Sequence, residues 1–248
     1  IPISFSVSPF MVFTEGMLAW PPDPEAWSIR WYRNMIGDCS ADVVSSTVPC
    51  STKWMKGTVN SFYIGIIATV IATALGTLAA LGLSRPHMPY KGLIMAILIS
   101  PMIVPLIITA AGMFFFYARI NLVYTFTGVI LAHVALATPF VVITVTATLV
   151  GFDMNMVKAA QSLGAKPMRT FFKVIMPLIL PGIISGALFA FITSFDEVVI
   201  VMFMASIDQL TIPKQMWAGI RQEISPVILC MATCLVLLSI FLLTTVEL

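Results

Sequence analysis

Charged side chains are scarce in this sequence, which excludes an ordinary soluble domain. Only 10% of the 248 residues are Asp, Glu, Lys or Arg, whereas a typical soluble protein has about 25%. Hydrophobic residues make up 59% of the chain, and its mean hydropathy is +1.02. The net charge of +2 is too small, and the basic residues are too dispersed, to indicate a nucleic-acid partner. We therefore expect the chain to be embedded in a lipid bilayer.

Sequence patterns for nucleotide and metal binding are also absent. No G-x-x-x-x-G-K-[ST] loop occurs, so we expect no cofactor in this chain and no enzymatic activity. None of the four cysteines is accompanied by a histidine in a metal-ligand pattern. No internal repeat is evident, which argues against a secondary transporter driven by an ion gradient.

Long apolar runs recur along the chain, and each exceeds the ~20 residues that a membrane-spanning helix needs. The predicted spans are Val59–Leu83, Gly92–Ala118, Leu122–Val150, Gly182–Ala205 and Ile224–Val246. Residues 1–13 are apolar but too few to cross alone, so we expect them to end a helix whose first part is missing. The prediction is one all-α membrane domain over residues 1–248, with six transmembrane helices, the first of them truncated.

The distribution of basic residues between the loops predicts the orientation in the membrane. The 84–91 loop carries Lys and Arg without an acid, and the 151–173 segment carries four basic residues against one acid. Because Lys and Arg concentrate on the cytoplasmic side, we place both segments there. The 14–58 and 206–223 loops then face the periplasm, and both termini of the complete chain are cytoplasmic.

The four cysteines form two pairs of different kinds. Cys39 and Cys50 share the predicted periplasmic loop, which lies in an oxidising compartment, so we expect a disulfide between them. Cys230 and Cys234 stand one helical turn apart in the last predicted span. We expect them to be inert core thiols.

The predicted cytoplasmic segment contains KAAQSLGAKPMRTFFKVIMP, which begins at Lys158 and ends at Pro177. The segment is predicted to form a polar, basic helix with a turn at Gly164, and membrane-spanning helices are predicted on both sides of it. This segment resembles the EAA loop of ABC-importer permeases in spacing and in position. Two residues depart from the family pattern, because Lys158 replaces the usual Glu and Met176 the usual Leu.

The resemblance implies a type I ABC-importer permease fold in a bacterial inner membrane. It also implies that a coupling helix contacts a separate ATPase, which binds ATP and Mg in place of this chain. The implied partners are a second, non-identical permease, two ATPase subunits and a periplasmic solute-binding protein. The implied ATPase-coupling residues are Lys158, Ala159, Ala160, Leu163, Gly164, Ala165 and Pro177.

Further motifs narrow the resemblance to one branch of the family. WSIRWYRN (27–34), TATLVGFD (146–153), AHVALATPF (132–140) and SFDEVVIVMF (194–203) resemble permeases of the spermidine/putrescine type, specifically the second of their two permeases. The resemblance implies half of a translocation pathway for polyamines. Related permeases for other organic solutes share parts of these motifs.

An acidic pair lies inside the predicted Gly182–Ala205 span. A carboxylate within a span costs about 2.5–3.5 kcal/mol on insertion scales, so Asp196 and Glu197 should face protein or a water-filled path. Adjacent helical residues point about 100° apart, so only one of them can face the pathway directly. We interpret Asp196 as a cation contact and Glu197 as a structural carboxylate. Pairing of both with a partner subunit is the alternative.

Three further residues are candidate pathway contacts. His133 is the only acidic or basic side chain among Asp, Glu, Lys, Arg and His in the Leu122–Val150 span, where it is either a hydrogen-bonding residue between helices or a substrate ligand. Phe116 and Tyr117 belong to a run of four aromatic residues that can contact an ammonium group through cation–π interactions. Not all of this run can face one pathway, because its members point all round a helix.

Two other functions remain open at this point. A permease for another small organic solute, such as an opine, an amino-acid-like compound, a phosphonate or a sulfonate, shares the EAA loop. The intramembrane acids argue against an anionic solute but not against a zwitterion. An ion-coupled secondary transporter also has broken helices and buried acids, but it predicts internal repeats.

Overall fold

The computed structural model describes residues 2–5, 28–38, 52–85, 88–151, 153, 155–222 and 225–247. Within these ranges all regular elements are helices, and no strand occurs. The chain divides into two compact units, one made of residues 1–61 and 209–248 and the other of residues 62–208. The predicted all-α architecture is confirmed.

The helices are numbered here in chain order. They are α1 (Arg30–Met35), α2 (Lys53–Leu83), α3 (Lys91–Ile103), α4 (Leu106–Arg119), α5 (Phe126–Val150), α6 (Asn155–Ser162), α7 (Pro167–Phe195), α8 (Val199–Met204), α9 (Ile212–Gln222) and α10 (Pro226–Glu247). Two 3₁₀ turns, Pro2–Phe5 and Ile207–Gln209, complete the described elements.

Three of these helices, α2, α5 and α7, are long and apolar enough to cross a membrane. The bent pair α3–α4 passes the same test as a unit, and α10 contributes a shorter apolar helix over Pro226–Phe241. Most of the predicted truncated first helix lies outside the described residues, which include only its Pro2–Phe5 turn. The predicted disulfide partners Cys39 and Cys50 also lie outside them.

The stretch Gly92–Ala118, predicted to supply one span, is not one continuous helix, because two helices occupy it and their axes bend by 104°. Helix α3 ends at Ile103, and Val104 adopts an extended conformation with φ −73° and ψ 134°. Pro105 explains the break, since its ring disfavours helical backbone in the residue before it. The pair is therefore a broken span or a re-entrant loop.

The predicted boundaries of the next-to-last span, Gly182–Ala205, are wrong at both ends. Helix α7 starts at Pro167 rather than near Gly182, and Pro181 lies inside it. A π-helical turn at Phe171–Ile175 precedes Pro177, and such a turn changes the backbone hydrogen-bonding register next to a residue that has no N–H. Helix α7 ends at Phe195, so Asp196 and Glu197 lie in a break before α8 and not in a continuous helix.

The packing of α5 against α7 forms the centre of the 62–208 unit. Small residues recur every four positions along α7 and are all buried, namely Gly182, Gly186, Ala190 and Ser194. A methyl group at Gly186 would lie 2.5 Å from Thr144 Oγ1 and 3.1 Å from Val141 Cα. The absence of a side chain at this position therefore lets the two helices approach closely, as in other membrane helix pairs.

Helix α2 approaches α5 in the same way. A Cβ atom at Gly76 would lie 2.6 Å from Val141 Cβ, which is too short for any real contact. Ala72 and Ala80, one turn away on either side, are fully buried. Three helices of this unit thus share one tightly packed core around Val141.

In the unit formed by residues 1–61 and 209–248, α1 and the Pro2–Phe5 turn pack against α10. Ser4 Oγ lies 2.7 Å from the Tyr32 hydroxyl oxygen, and the Cys230 thiol donates to the Ser4 carbonyl oxygen over 3.4 Å. Cys230 is buried and Cys234 partly buried, and both thiols are free.

Candidate functional site

The EAA-like segment folds as helix α6, followed by a tight turn at Gly164. Backbone N–H groups of Gly164 and Ala165 donate to the carbonyl oxygens of Gln161 and Ala160 over 2.9 and 3.0 Å. This pair of bonds is the Schellman arrangement, which satisfies the last carbonyls of a helix. It requires a left-handed residue, and Gly164 has φ +79°. The turn predicted at Gly164 is therefore present.

The turn presents an apolar side chain outward. Leu163 is 90% exposed at the tip, immediately before Gly164. Lys158 and Ala159 are exposed on α6, whereas Ala160 and Ala165 are partly buried. Other exposed apolar side chains of the same segment are Met156, Met168 and Phe172. Such a protruding surface is suited to a protein partner.

A continuous backbone path joins this turn to the membrane helix. Pro167 begins α7 immediately after the Gly164 turn, and the Thr170 side chain, which is buried, donates to the Lys166 carbonyl oxygen over 3.3 Å. The π turn at Phe171–Ile175 then leads into the main part of α7, where Pro177 is exposed. Only Ala165 and Lys166 thus separate Gly164 from the start of α7.

The second cluster of predicted residues lies at the other end of α7. Asp196 follows the last helical residue, and its side chain is exposed. Glu197 is only 7% exposed, and its Oε1 accepts a hydrogen bond from the Ile200 N–H over 2.9 Å. Glu197 therefore caps the first turn of α8, where N–H groups would otherwise be unsatisfied.

His133 is connected to this break through a residue that sequence analysis missed. Its Nδ1 lies 2.8 Å from Ser194 Oγ, two residues before Asp196. The His133 side chain is only 1% exposed, and its Nε2 has no hydrogen-bond partner among the described residues. Because 61 positions separate the two residues, no local pattern could have paired them.

The two aromatic candidates lie on α4 and differ in environment. Phe116 is 60% exposed, whereas Tyr117 packs against the buried core of the unit. Helix α4 also packs against α8, the short helix that follows Glu197. The N–H of Tyr124 donates to the Met204 carbonyl oxygen over 2.9 Å and so fixes the end of α8.

These features define a class of protein. Apolar spanning helices, a broken helix with an exposed carboxylate, and a protruding turn joined to that helix are the parts of a membrane transport component. They do not form a constellation of nucleophile, base and oxyanion donor among the described residues.

Comparison with known proteins confirms the class and the fold. Residues 58–248 match the family described as "Binding-protein-dependent transport system inner membrane component". The chain belongs to this family, and it is an integral membrane permease component of an ABC importer. The inward-facing MetNI methionine ABC transporter has the same fold, with a TM-score of 0.61 over 78% of this chain and 92% of that chain, at 18% sequence identity.

Two relatives confirm the more specific resemblance. The spermidine/putrescine transport system permease protein PotC of Haemophilus influenzae is 29% identical over 194 residues, which are 78% of this chain and 76% of that protein. The putrescine transport system permease protein PotI of Escherichia coli is 29% identical over 215 residues, which are 84% of this chain and 72% of that protein.

Proposed function

We propose that this chain forms half of the translocation pathway of an ATP-driven importer for polyamines such as spermidine and putrescine. The observation that carries the proposal is the similarity to two permeases of that substrate class over more than three quarters of the chain. The exposed carboxylate of Asp196, in a break between two apolar helices, is chemically suited to an ammonium group. Half-helix ends at such breaks bind cations in other transporters.

Within this pathway, Asp196 and Glu197 have different roles. Asp196 contacts the passing cation, because its side chain is exposed and no residue in the described part of the chain forms an ion pair with it. Glu197 holds α8 in place through the hydrogen bond to Ile200. His133 positions Ser194 rather than touching the solute, and Phe116 is the better placed of the two aromatic residues for a cation–π contact.

Energy for transport comes from a separate ATPase, which binds ATP and Mg. The Gly164 turn docks on that subunit and transmits its motion to α7. The support is physical: an exposed leucine forms the tip, small residues flank it, and the backbone continues into the spanning helix. The proposed contact residues are Lys158, Ala159, Ala160, Leu163, Gly164, Ala165 and Pro177.

The working complex contains one copy of this chain, one non-identical permease and two ATPase subunits, and it receives solute from a periplasmic binding protein. The described part of the chain provides three spanning helices, or four if the bent pair is one span, and these are too few to enclose a pathway. The termini of the complete chain lie on the cytoplasmic side. Native mass spectrometry of the complex purified from membranes tests this composition. A stable assembly with two copies of this chain, or one without an ATPase, would contradict it.

The substrate is tested by uptake into proteoliposomes that contain the complex, its binding protein and internal ATP. We expect ATP-dependent uptake of radiolabelled spermidine or putrescine, with competition by the other polyamine and none by a phosphonate or a sulfonate. Competition by a zwitterionic amino acid or an opine, without uptake of polyamines, would instead assign the chain to another organic solute.

A further inference from the structure

Helix α9 is short and amphipathic, and the described part of the chain leaves one of its faces uncovered. Ile212 is 2% exposed and faces the protein, whereas Trp217 and Ile220 are 50% and 56% exposed. The residue next to Ile220, Arg221, is also exposed. Because three positions separate Trp217 from Ile220, their side chains lie on the same side of the helix. The uncovered face is thus apolar with a basic edge.

The start of α9 is fixed by three residues of α2. Asn60 Nδ2 donates to the Leu210 carbonyl oxygen over 2.9 Å, and Ser61 Oγ accepts from the Ile212 N–H over 2.8 Å. Gly57, on the same side of α2, is also close to this residue, because a Cβ atom built there would lie 3.6 Å from the Ile212 nitrogen, an ordinary van der Waals distance. The first residue of α9 therefore has a fixed height along α2.

That height coincides with the edge of the hydrocarbon layer. No charged residue occurs from Gly57 to Ser84, a stretch that includes most of α2 and ends one residue beyond it. A hydrocarbon core of ~30 Å accommodates about 20 helical residues, and centring them on this stretch places its limits near Ser61 and Ala80. Since Ser61 bonds the first residue of α9, this helix begins at the boundary between lipid chains and headgroups.

The other end of α9 is held at the start of α10. A Cβ atom at Gly219 would lie 2.8 Å from Ile228 Cδ1, so the two helices are in direct contact there. Ile228 belongs to the first turn of α10, the apolar helix that begins at Pro226. Both ends of α9 thus contact the N-terminal parts of apolar helices, which is the arrangement expected of a helix that runs along a membrane surface.

We propose that α9 is an interfacial anchor, with Trp217 and Ile220 inserted into the headgroup region of the phospholipid leaflet at this end of α2. Tryptophan is favoured at this depth because its indole is largely apolar and carries one N–H donor. Arg221 can keep its guanidinium among lipid phosphates while its methylene stem covers apolar surface. The bilayer that α2 crosses continues past this face, which makes lipid the occupant.

Depth-dependent fluorescence quenching tests the anchor in the assembled complex, reconstituted in phosphatidylcholine–phosphatidylglycerol vesicles. The Trp217 signal is the difference between the parent and Trp217→Phe. We expect lipids brominated on the upper acyl chain to quench most of this signal and lipids brominated near the chain end to quench it less. Iodide in the buffer should quench it weakly. The result does not depend on which solute is transported.

A matched control is Trp54→Phe, which reports on a tryptophan that is only 6% exposed at the start of α2. Its signal should respond weakly to both kinds of quencher. Moving the reporter by one turn, with Ile220→Trp in the Trp217→Phe background, should reproduce the lipid quenching. Strong quenching of the Trp217 signal by iodide alone would mean that this face is in water. Resistance to every quencher would mean that a protein partner covers it. Either result would overturn the proposal.

Discussion

The turn at Gly164 gives the most sensitive structural test of coupling. Its φ of +79° costs a glycine nothing, but it costs another L residue about 1–2 kcal/mol. No atom lies within 4 Å of a Cβ built at this position, so a substitution acts on the backbone conformation and not through a clash. Asparagine tolerates this region best, alanine less well and a β-branched valine worst.

We therefore expect each substitution to lower the amount of solute transported per ATP hydrolysed. The loss should be smallest for Gly164→Asn, larger for Gly164→Ala and largest for Gly164→Val. A cost of ~1.4 kcal/mol shifts an equilibrium about tenfold, so the valine variant should lose most of its coupling. Uptake and ATP hydrolysis are measured in the same proteoliposomes and normalised to assembled complex. Gly92→Val is the matched control, because Gly92 has open space around it and no positive φ. A valine variant with unchanged transport per ATP would refute the role of this turn.

Two other predictions follow from the structure, and a third follows from the sequence. Asp196→Asn should lower the uptake of a cationic solute per assembled complex. Glu197→Gln should mainly reduce the amount of assembled complex, because it weakens the cap of α8. The reverse pattern in proteoliposome uptake would mean that Glu197 is the pathway residue. Gly186→Ala should destabilise the purified complex by ~1–3 kcal/mol, because the added methyl group meets Thr144 and Val141. Gly112→Ala should not destabilise it, because Gly112 has open space around it. Equal melting temperatures of the two variants would contradict the close packing at Gly186. Cys39 and Cys50 should form a disulfide that contributes ~3 kcal/mol; peptide mapping without reductant that finds both thiols free would exclude it.

Features that depend on neighbouring residues could be predicted from the sequence. The Gly164 turn depends on hydrogen bonds between residues three to five apart and on a glycine at one position. The long charge-free stretch from Gly57 to Ser84 gave the position of α2 because the bilayer requires a run of that length. The EAA spacing combined both kinds of signal and led to the correct family.

Features that depend on distant contacts could not be predicted. Pro105 disfavours helical backbone at Val104, but the size of the bend is set by packing in three dimensions, and two helices bent by 104° occupy the stretch predicted as one span. The break after Phe195 depends on Glu197 bonding forward to Ile200 instead of continuing the helix. The bond from Ser61 to Ile212 joins residues 151 positions apart, so the place of α9 was invisible in the sequence.

The most direct test of the central claim is ATP hydrolysis by the purified complex in the presence of its binding protein. If the chain is the permease of an ATP-driven polyamine importer, spermidine or putrescine should raise the ATPase rate, and Gly164→Val should reduce solute uptake relative to that rate. An ATPase rate that no polyamine changes, but that another organic solute raises, would contradict the assigned substrate. A complex that transports without any ATPase would contradict the account as a whole.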